Sequence, residues 1–433
     1  VRILAPQPYM DNFLDKIFFR SRNLDYISQN LINLTNQTPV KRIFEVLNNY
    51  SESSEVRYVG GCVRKIIKKE IVDDIDLATN LKPGEVCDAL RKQNINYYET
   101  GIEHGTITAI IDDYKYEITS LRKDVSTDGR HAKVEFSSDW KEDAARRDFS
   151  INSIYSDKDG NLFDPYNGKK DLESGNINFI GDSENRIKED YLRILRYVRF
   201  FINYSNQSHD LNIIKKIKKN IGGVSKLSSE RLLDEFKKLT RSNAFLKLFK
   251  DKTSLELIEI IFPQLKNLEN LKKLNSHAIN NLSKVDFIFL LSLLIIDGTD
   301  NTDYFLYKFN ISKKDQKRLK SIDFFYKENV SIKNFNEKNF NKIFYYNGRQ
   351  TVLDIINYKL FISSKVEKKL LKLIETYKDK VIPALPIDAN TLMSKYNIPE
   401  GKMLGNKLKL IEEMWVQNNF QISDKKIQKI IKS

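Results

Sequence analysis

The chain has 433 residues, a formal net charge of +14 and a pI near 9.3. Such a length holds two or more domains with sizeable cores, and so basic a balance fits a polyanionic partner such as nucleic acid, although AT-biased coding, which enriches Lys, Asn and Ile together, raises the charge in the same way. Two cysteines, Cys62 and Cys87, exclude a disulfide scaffold and a Cys-rich zinc site and suit a reducing compartment.

Residues 1–50 read as a leader with a short helix in VKRIFEVLNNY, 40–50. No N-terminal stretch has the regions of a signal peptide, and the opening Val1 points to an unusual or trimmed start. From 56 to about 180 the texture is mixed. RYVGG and DIDLAT read as strands, with VRKIIKKE helical between them, and PGEVCDALRKQ from Pro83 reads as a helix. GTITAIID and YKYEITSLR alternate like paired strands across an Asp112-Asp113 turn. From about 183 glycine thins out and Leu/Ile/Phe recur at helical spacing, as in SERLLDEFKKLT (229–240) and KVEKKLLKLIETYKD (365–379). The run FIFLLSLLII, 287–296, is too short to span a bilayer and reads as a buried helix. A loop around Pro383 and Pro386 is one candidate boundary. The expected class is α+β, a small sheet flanked by helices and then an all-helical remainder. The divisions are 1–50, 51–182, 183–245 and 246–433, and the expected home is the cytoplasm.

Four stretches carry chemistry. In DDIDLAT, side chains alternate across a strand, so Asp74 and Asp76 share a face and Asp73 points away. Two carboxylates at i and i+2 suit Mg²⁺, which takes one or two protein carboxylates and completes its shell with water and phosphate. An isolated D-x-D is usually a solvated turn; the apolar neighbours Ile75 and Leu77 argue against that here. Gly60-Gly61 ends a strand and enters a helix, where backbone N–H groups can approach phosphates. Arg64, in the first turn, can add a charged fork. RRDFSIN supplies Arg147, Asp148 and Asn152 for a ribose and phosphates; alone it would be a surface charge cluster. In EDYLRILRYVRF, Asp190 and Arg193 are three apart and so lie on one helix face. The ordinary reading is an ion pair of a few tenths of a kcal/mol. The sharper one is a base reader. A carboxylate accepts from an exocyclic amino group and a guanidinium donates to an unprotonated ring nitrogen. Cytosine and adenine offer that polarity, guanine and uracil the opposite, and unpaired buried polar groups reject strongly.

In this order the stretches resemble the class II CCA-adding enzymes of the polymerase-β-like nucleotidyltransferase superfamily. The matching pieces are GGCVRK, DDIDLAT, GIEHGTITAI, YEITSLRKDVSTDGRHAKVEF, DWKEDAARRDFSINSI, FDPYNGKKDL and EDYLRILRYVRF, over roughly residues 57–200; SSERLLDEFKKL resembles the family's neck. The resemblance implies a catalytic head at 51–182, a base-reading neck at 183–245 and a tRNA-binding body and tail at 246–433. It implies addition of C, C and A to tRNA from CTP and ATP with release of pyrophosphate by a two-metal mechanism, with the Mg²⁺ ions held by Asp74 and Asp76 and Glu117 as a third carboxylate. Gly60, Gly61 and Arg64 would hold the triphosphate, Arg147, Asp148 and Asn152 the sugar and phosphates. Asp190 and Arg193 would read the base, with Arg196 and Arg199 beside them, and Asp128, Gly129 and Arg130 would lie in a flexible loop. One departure stands out: Lys65 follows Val63-Arg64 where the family usually has an acidic residue, which leaves open how Arg64 is held. No membrane or disulfide partner is expected.

Three rivals share parts of this pattern. A poly(A) polymerase shares the head, but GIEHGTITAII is the CCA-type sequence. An enzyme adding only CC lacks much of the loop that is full length here at 122–136, whereas one adding only A keeps every motif. A non-catalytic RNA-binding protein would not need intact metal and base-reading pairs. His209-Asp210 invites a phosphohydrolase reading, but His277 is the only other histidine after residue 200, so His209 reads as a surface residue.

Overall fold

The computed structural model describes residues 25–127, 132–242, 244–328, 335–381 and 383–432. Contacts divide the chain into two compact units, residues 1–245 and 246–433.

The first unit is built on a seven-stranded sheet of β1 (Val56–Val59), β2 (Asp76–Thr79), β3 (Asn96–Gly101), β4 (Thr106–Ile111), β5 (Tyr114–Ser120), β8 (Tyr155–Ser156) and β9 (Leu162–Phe163), in the order β3-β4-β5-β2-β1-β8-β9. β4 and β5 form the expected hairpin, with Asp112 at φ 52° in its turn. Every pairing is antiparallel except β2 with β5, which sets Asp76 opposite Glu117. β6 (Arg122–Thr127) and β7 (Ala132–Phe136) make a separate two-stranded ribbon. Asp128, Gly129 and Arg130 lie outside the described residues.

Two helices, Tyr26–Gln37 and Val40–Asn48, precede the sheet and share its core. Leu31, Val40, Ile43, Phe44 and Leu47 are buried with Tyr58, Leu77, Ile107 and Ile118. Residues 26–48 are therefore part of the head and not a separate leader. Strand DIDLAT is shorter than its alternation suggests: it begins at Asp76, and residues 72–75 are irregular, with Asp73 and Asp74 both exposed and Asp76 partly buried. Beyond the sheet, helix Leu192–Tyr204 is buried on most of its circumference, through Leu192, Ile194, Leu195, Tyr197, Val198 and Phe200 among others. Helix Ser229–Thr240 is capped by Ser228, whose side chain accepts from the Arg231 N–H, and buries Leu232, Leu233, Phe236 and Leu239. That cap satisfies one of the orphan donors of a helix start.

The second unit is helical throughout. Helix Phe287–Ile295 is buried over Phe289–Ile295, as its uniformly apolar sequence requires. Helix Glu337–Ile362 breaks at Gly348, whose φ of 83° no ordinary side chain adopts without strain. After the stretch holding Pro383 and Pro386, residues 387–430 gather a core of their own around Leu392, Leu404, Ile411 and Ile427. Among the described residues no helix is long and apolar enough to cross a membrane, and both cysteines are free and buried.

Candidate active site

The site grows from the ends of β1, β2 and β5. Asp76 opens β2 beside Glu117, with Asp74 just ahead of the strand. Burial, then the Asp74 and Glu117 carboxylates, push Asp76 up to about 6, against the opposing pull of Arg147 and Arg64. Like charges crowded at a partly buried carboxylate favour its neutral form. The repulsion marks a face suited to a dication, whose charge would relieve it. Among the described residues no three His, Cys, Asp or Glu side chains close into a ready metal cage, so the fit is to a cation that takes part of its shell from phosphate and water.

The glycine turn lies against this face. Gly60 has φ 66°, which reserves it for glycine. A Cβ there would lie 3.6 Å from the Asn152 carbonyl and 3.7 Å from Arg147 Nη1, and one on Gly61 would lie 3.6 Å from Asp76 Oδ2. The open side of the turn thus meets both a carboxylate and a guanidinium.

Arg64 corrects the sequence reading. It does not project as a fork toward ligand but is buried, donating through Nη1 to Asn152 Oδ1 and stacking over Phe200 at 4.9 Å and Tyr204 at 5.3 Å from the ring centroids. Its Nε has no hydrogen-bond partner among the described residues. Arg64 ties the turn to helix Leu192–Tyr204. Lys65 pairs with Asp73, so the departure at 65 and the third aspartate answer each other.

Asp148 is the hub between head and neck. It accepts from the Phe149 N–H at 2.9 Å, from Asn152 Nδ2 at 2.9 Å and from Arg196 Nε at 2.6 Å. Burial alone would raise it, but the Arg196 guanidinium and the Asn152 amide hold it down to about 2. Arg147 donates to Tyr155 Oη at 2.9 Å and to Asp143 Oδ2 at 3.0 Å. Asp143, which sequence reasoning passed over, is fully buried and also accepts from Arg146 Nε at 2.8 Å and Tyr155 Oη at 2.7 Å. Despite burial, Arg147 and Arg146 hold its carboxyl well below the usual range.

Asp190 and Arg193, the expected base readers, are arranged differently from the shared helix face expected of them. Helix Ser183–Glu189 stops at Glu189, helix Leu192–Tyr204 starts at Leu192, and Asp190 sits between them at φ −150° and ψ 106°. There its Oδ1 accepts from the Leu192 N–H at 3.1 Å and its Oδ2 from Arg231 at 2.8 Å. Arg193 donates through Nη1 to Glu189 Oε2 and to the Arg186 carbonyl, both at 2.7 Å. Arg186 also bonds Glu189 at 2.5 Å and the Arg147 carbonyl at 2.6 Å, linking this corner to the head. Arg199 pairs with Glu235, which is 1% exposed and lies 4.0 Å from Arg196. Glu189, Arg231 and Glu235 were not singled out, although Arg231 and Glu235 stand four apart in SERLLDEF, the spacing of one helix face. His209 is half-buried and not simply exposed: its ring stacks on Phe201 at 3.5 Å and Nδ1 meets Tyr197 Oη at 3.0 Å.

Comparison with known proteins sets this geometry in a family. Residues 56–178 match the model described as "Poly A polymerase head domain", and residues 210–269 match "Probable RNA and SrmB- binding site of polymerase A". A crystal structure of the Bacillus stearothermophilus CCA-adding enzyme with CTP shares the fold at 19% identity and a TM-score of 0.65, covering 88% of this chain and 93% of that one. A Lactobacillus johnsonii CCA-adding enzyme is 28% identical over 85% of this chain and 91% of its own length. The human mitochondrial CCA tRNA nucleotidyltransferase 1 is 32% identical over 88% of this chain and 87% of its own length. With a relative at that identity over most of both chains, the chain belongs to the class II CCA-adding enzymes, the CCA tRNA nucleotidyltransferases.

Proposed function

We propose how this site divides the work of adding C, C and A to the 3′ end of tRNA from CTP and ATP. The chain is a CCA tRNA nucleotidyltransferase. In each step the 3′-hydroxyl oxygen of the tRNA bonds to the α-phosphorus, the bond from that phosphorus to the bridging oxygen breaks, the hydroxyl proton passes to water, and pyrophosphate leaves with the bond's electron pair. The family uses divalent metal; Mg²⁺ is our assignment, with Asp74 and Asp76 as its ligands. When bound, the cation would lower the pKa of the attacking hydroxyl and neutralise charge on the triphosphate. Glu117 faces the same space from β5 and would steady the 3′ end.

The Gly60-Gly61 turn gives the triphosphate room beside Arg147. Arg64, buried on Asn152 and the neck aromatics, serves as the brace of that turn. Asp148 fixes Asn152 and Arg196 for the ribose and phosphates, and Arg199 is set by Glu235. Asp190 then accepts from the exocyclic amino group of C or A, while the N–H groups of Arg193 not taken by Glu189 and Arg186 donate to the ring nitrogen. Arg231 and Glu189 hold the two readers apart and oriented. The Lys-rich unit after 245 takes the tRNA backbone, and the loop with Asp128, Gly129 and Arg130 serves A addition. We place the enzyme in the cytoplasm; recovery in an organelle on fractionation, as the names of the vertebrate relatives suggest for them, would move it.

The observation that carries the reading is the carboxylate face of Asp76, Asp74 and Glu117 against the glycine turn. Purified protein with Mg²⁺, CTP, ATP and a tRNA lacking its last three nucleotides should add three and stop. Growth of long A tails on unrelated RNA would favour poly(A) polymerase, and extension only of tRNA already ending in CC would favour an A-adding enzyme.

A further inference from the structure

The helical unit holds a cavity of about 360 Å³ between helix Lys313–Glu328 and helix Glu337–Ile362. That is within the range of small-ligand pockets, which begin at about 300 Å³. Its floor is apolar, with Phe325 and Ile355 nearly fully buried. Its mouth is not built like the surface of a soluble helix pair. Phe324 leaves 66% of its surface exposed and Tyr346 leaves 45%, one from each helix. Lys342, one turn before Tyr346, makes no ion pair among the described residues, and the Asn347 side chain makes no hydrogen bond there. Asn347 immediately precedes the helix break at Gly348, which turns the chain away beyond it.

Two aromatic faces, an amide and an ammonium around one slot match a single unstacked nucleotide. An extruded RNA base stacks on aromatic rings and hydrogen-bonds through its edge, while a cation meets its phosphate. The surrounding unit has the complementary charge, since residues 246–433 hold 33 Lys and Arg against 21 Asp and Glu. A small apolar metabolite would leave Lys342 and Asn347 without purpose. We propose that this cavity binds one unpaired, unstacked nucleotide of the tRNA, its base against Phe324 and Tyr346 and its phosphate at Lys342. The proposal rests on the reading that the chain binds tRNA and adds a point of base contact, remote in sequence from the catalytic residues.

The test measures tRNA dissociation constants and saturated turnover for the full chain and four variants. Each of Phe324→Ala and Tyr346→Ala should raise Kd roughly tenfold, within the range that losing one base–aromatic stack gives, with turnover at saturating tRNA unchanged. Lys342→Gln should weaken binding less and reduce the salt slope by about one phosphate contact. Tyr307→Ala removes a ring that is 87% exposed but does not line the cavity, and it should bind as the parent does. Parent-like affinity in both Phe324→Ala and Tyr346→Ala overturns the pocket, as does an equal loss in Tyr307→Ala. A parent protein that binds no tRNA overturns the functional reading along with it.

Discussion

Residues 1–245 carry 39 basic and 37 acidic side chains, whereas residues 246–433 carry 33 and 21, so +12 of the net +14 lies in the helical unit. In the first unit the charges near the site face inward and are matched: Asp143 with Arg146 and Arg147, Asp148 with Arg196, Glu235 with Arg199, Glu189 with Arg186 and Arg193, Asp190 with Arg231. In the second, lysines dominate exposed faces. Matched buried charge gives fixed geometry, because a group that leaves its partners is left as an uncompensated buried charge. Unmatched surface charge gives reach toward a polyanion and little orientation. On the proposed division of work, the contrast lets one chain hold a large RNA and still choose a base.

Breaking the first unit should cost most in chemistry. Asp76→Ala should lower turnover by about 10³-fold or more, the scale on which a preorganised electrostatic contact acts, with tRNA affinity little changed; rapid-quench incorporation beside filter binding checks both. Raising salt tests the second unit. If six or more phosphates are contacted, affinity should fall about 10³-fold between 50 and 200 mM salt, and a flat response would trace the charge to coding bias instead. Asp190→Ala with Arg193→Ala should cut the preference for C and A over U and G by roughly 10²-fold or more, as loss of a hydrogen-bonding site does; competition with all four nucleotides measures it.

Glu235→Ala leaves the buried Arg199 without its counter-charge and should destabilise the fold by about 3–5 kcal/mol, read from denaturant midpoints, while Glu235→Gln should lose less. The smallest effect belongs to Lys65 and Asp73. Their pair is largely solvent-facing, with side chains 24% and 60% exposed, so Lys65→Ala should cost less than about 1 kcal/mol of stability. If the pair steadies the segment before Asp74, exchanging the two residues should restore the turnover that Lys65→Ala loses.

What could be read in advance followed the same division. The resemblance names Glu117 as a third carboxylate, and the register of β2 with β5 sets it directly opposite Asp76. The hairpin, the helix at Pro83 and the helices at 229–240 and 368–378 were legible because each has a clean period and an end signal. Spacing misled at Asp190. Three residues from Arg193 it looks helical, yet an Asp side chain readily accepts from a backbone N–H two residues on and so favours a turn, as Asp190 does from the Leu192 N–H. Arg64 misled because a guanidinium near a glycine turn invites a phosphate, while the aromatic residues that claim it, Phe200 and Tyr204, are 136 and more positions away in sequence. Glu235 was hidden among lysines on a helix that otherwise reads as solvated on one face; its burial depends on Arg199 from another helix, which no local pattern states.

The most direct measurement is the sequence of the product. A tRNA lacking its last three nucleotides, given this protein, Mg²⁺ and all four nucleoside triphosphates at equal concentration, should end uniformly in CCA with nothing added beyond it. Products carrying runs of A, or U and G in place of C, would contradict the assignment of base choice to Asp190 and Arg193.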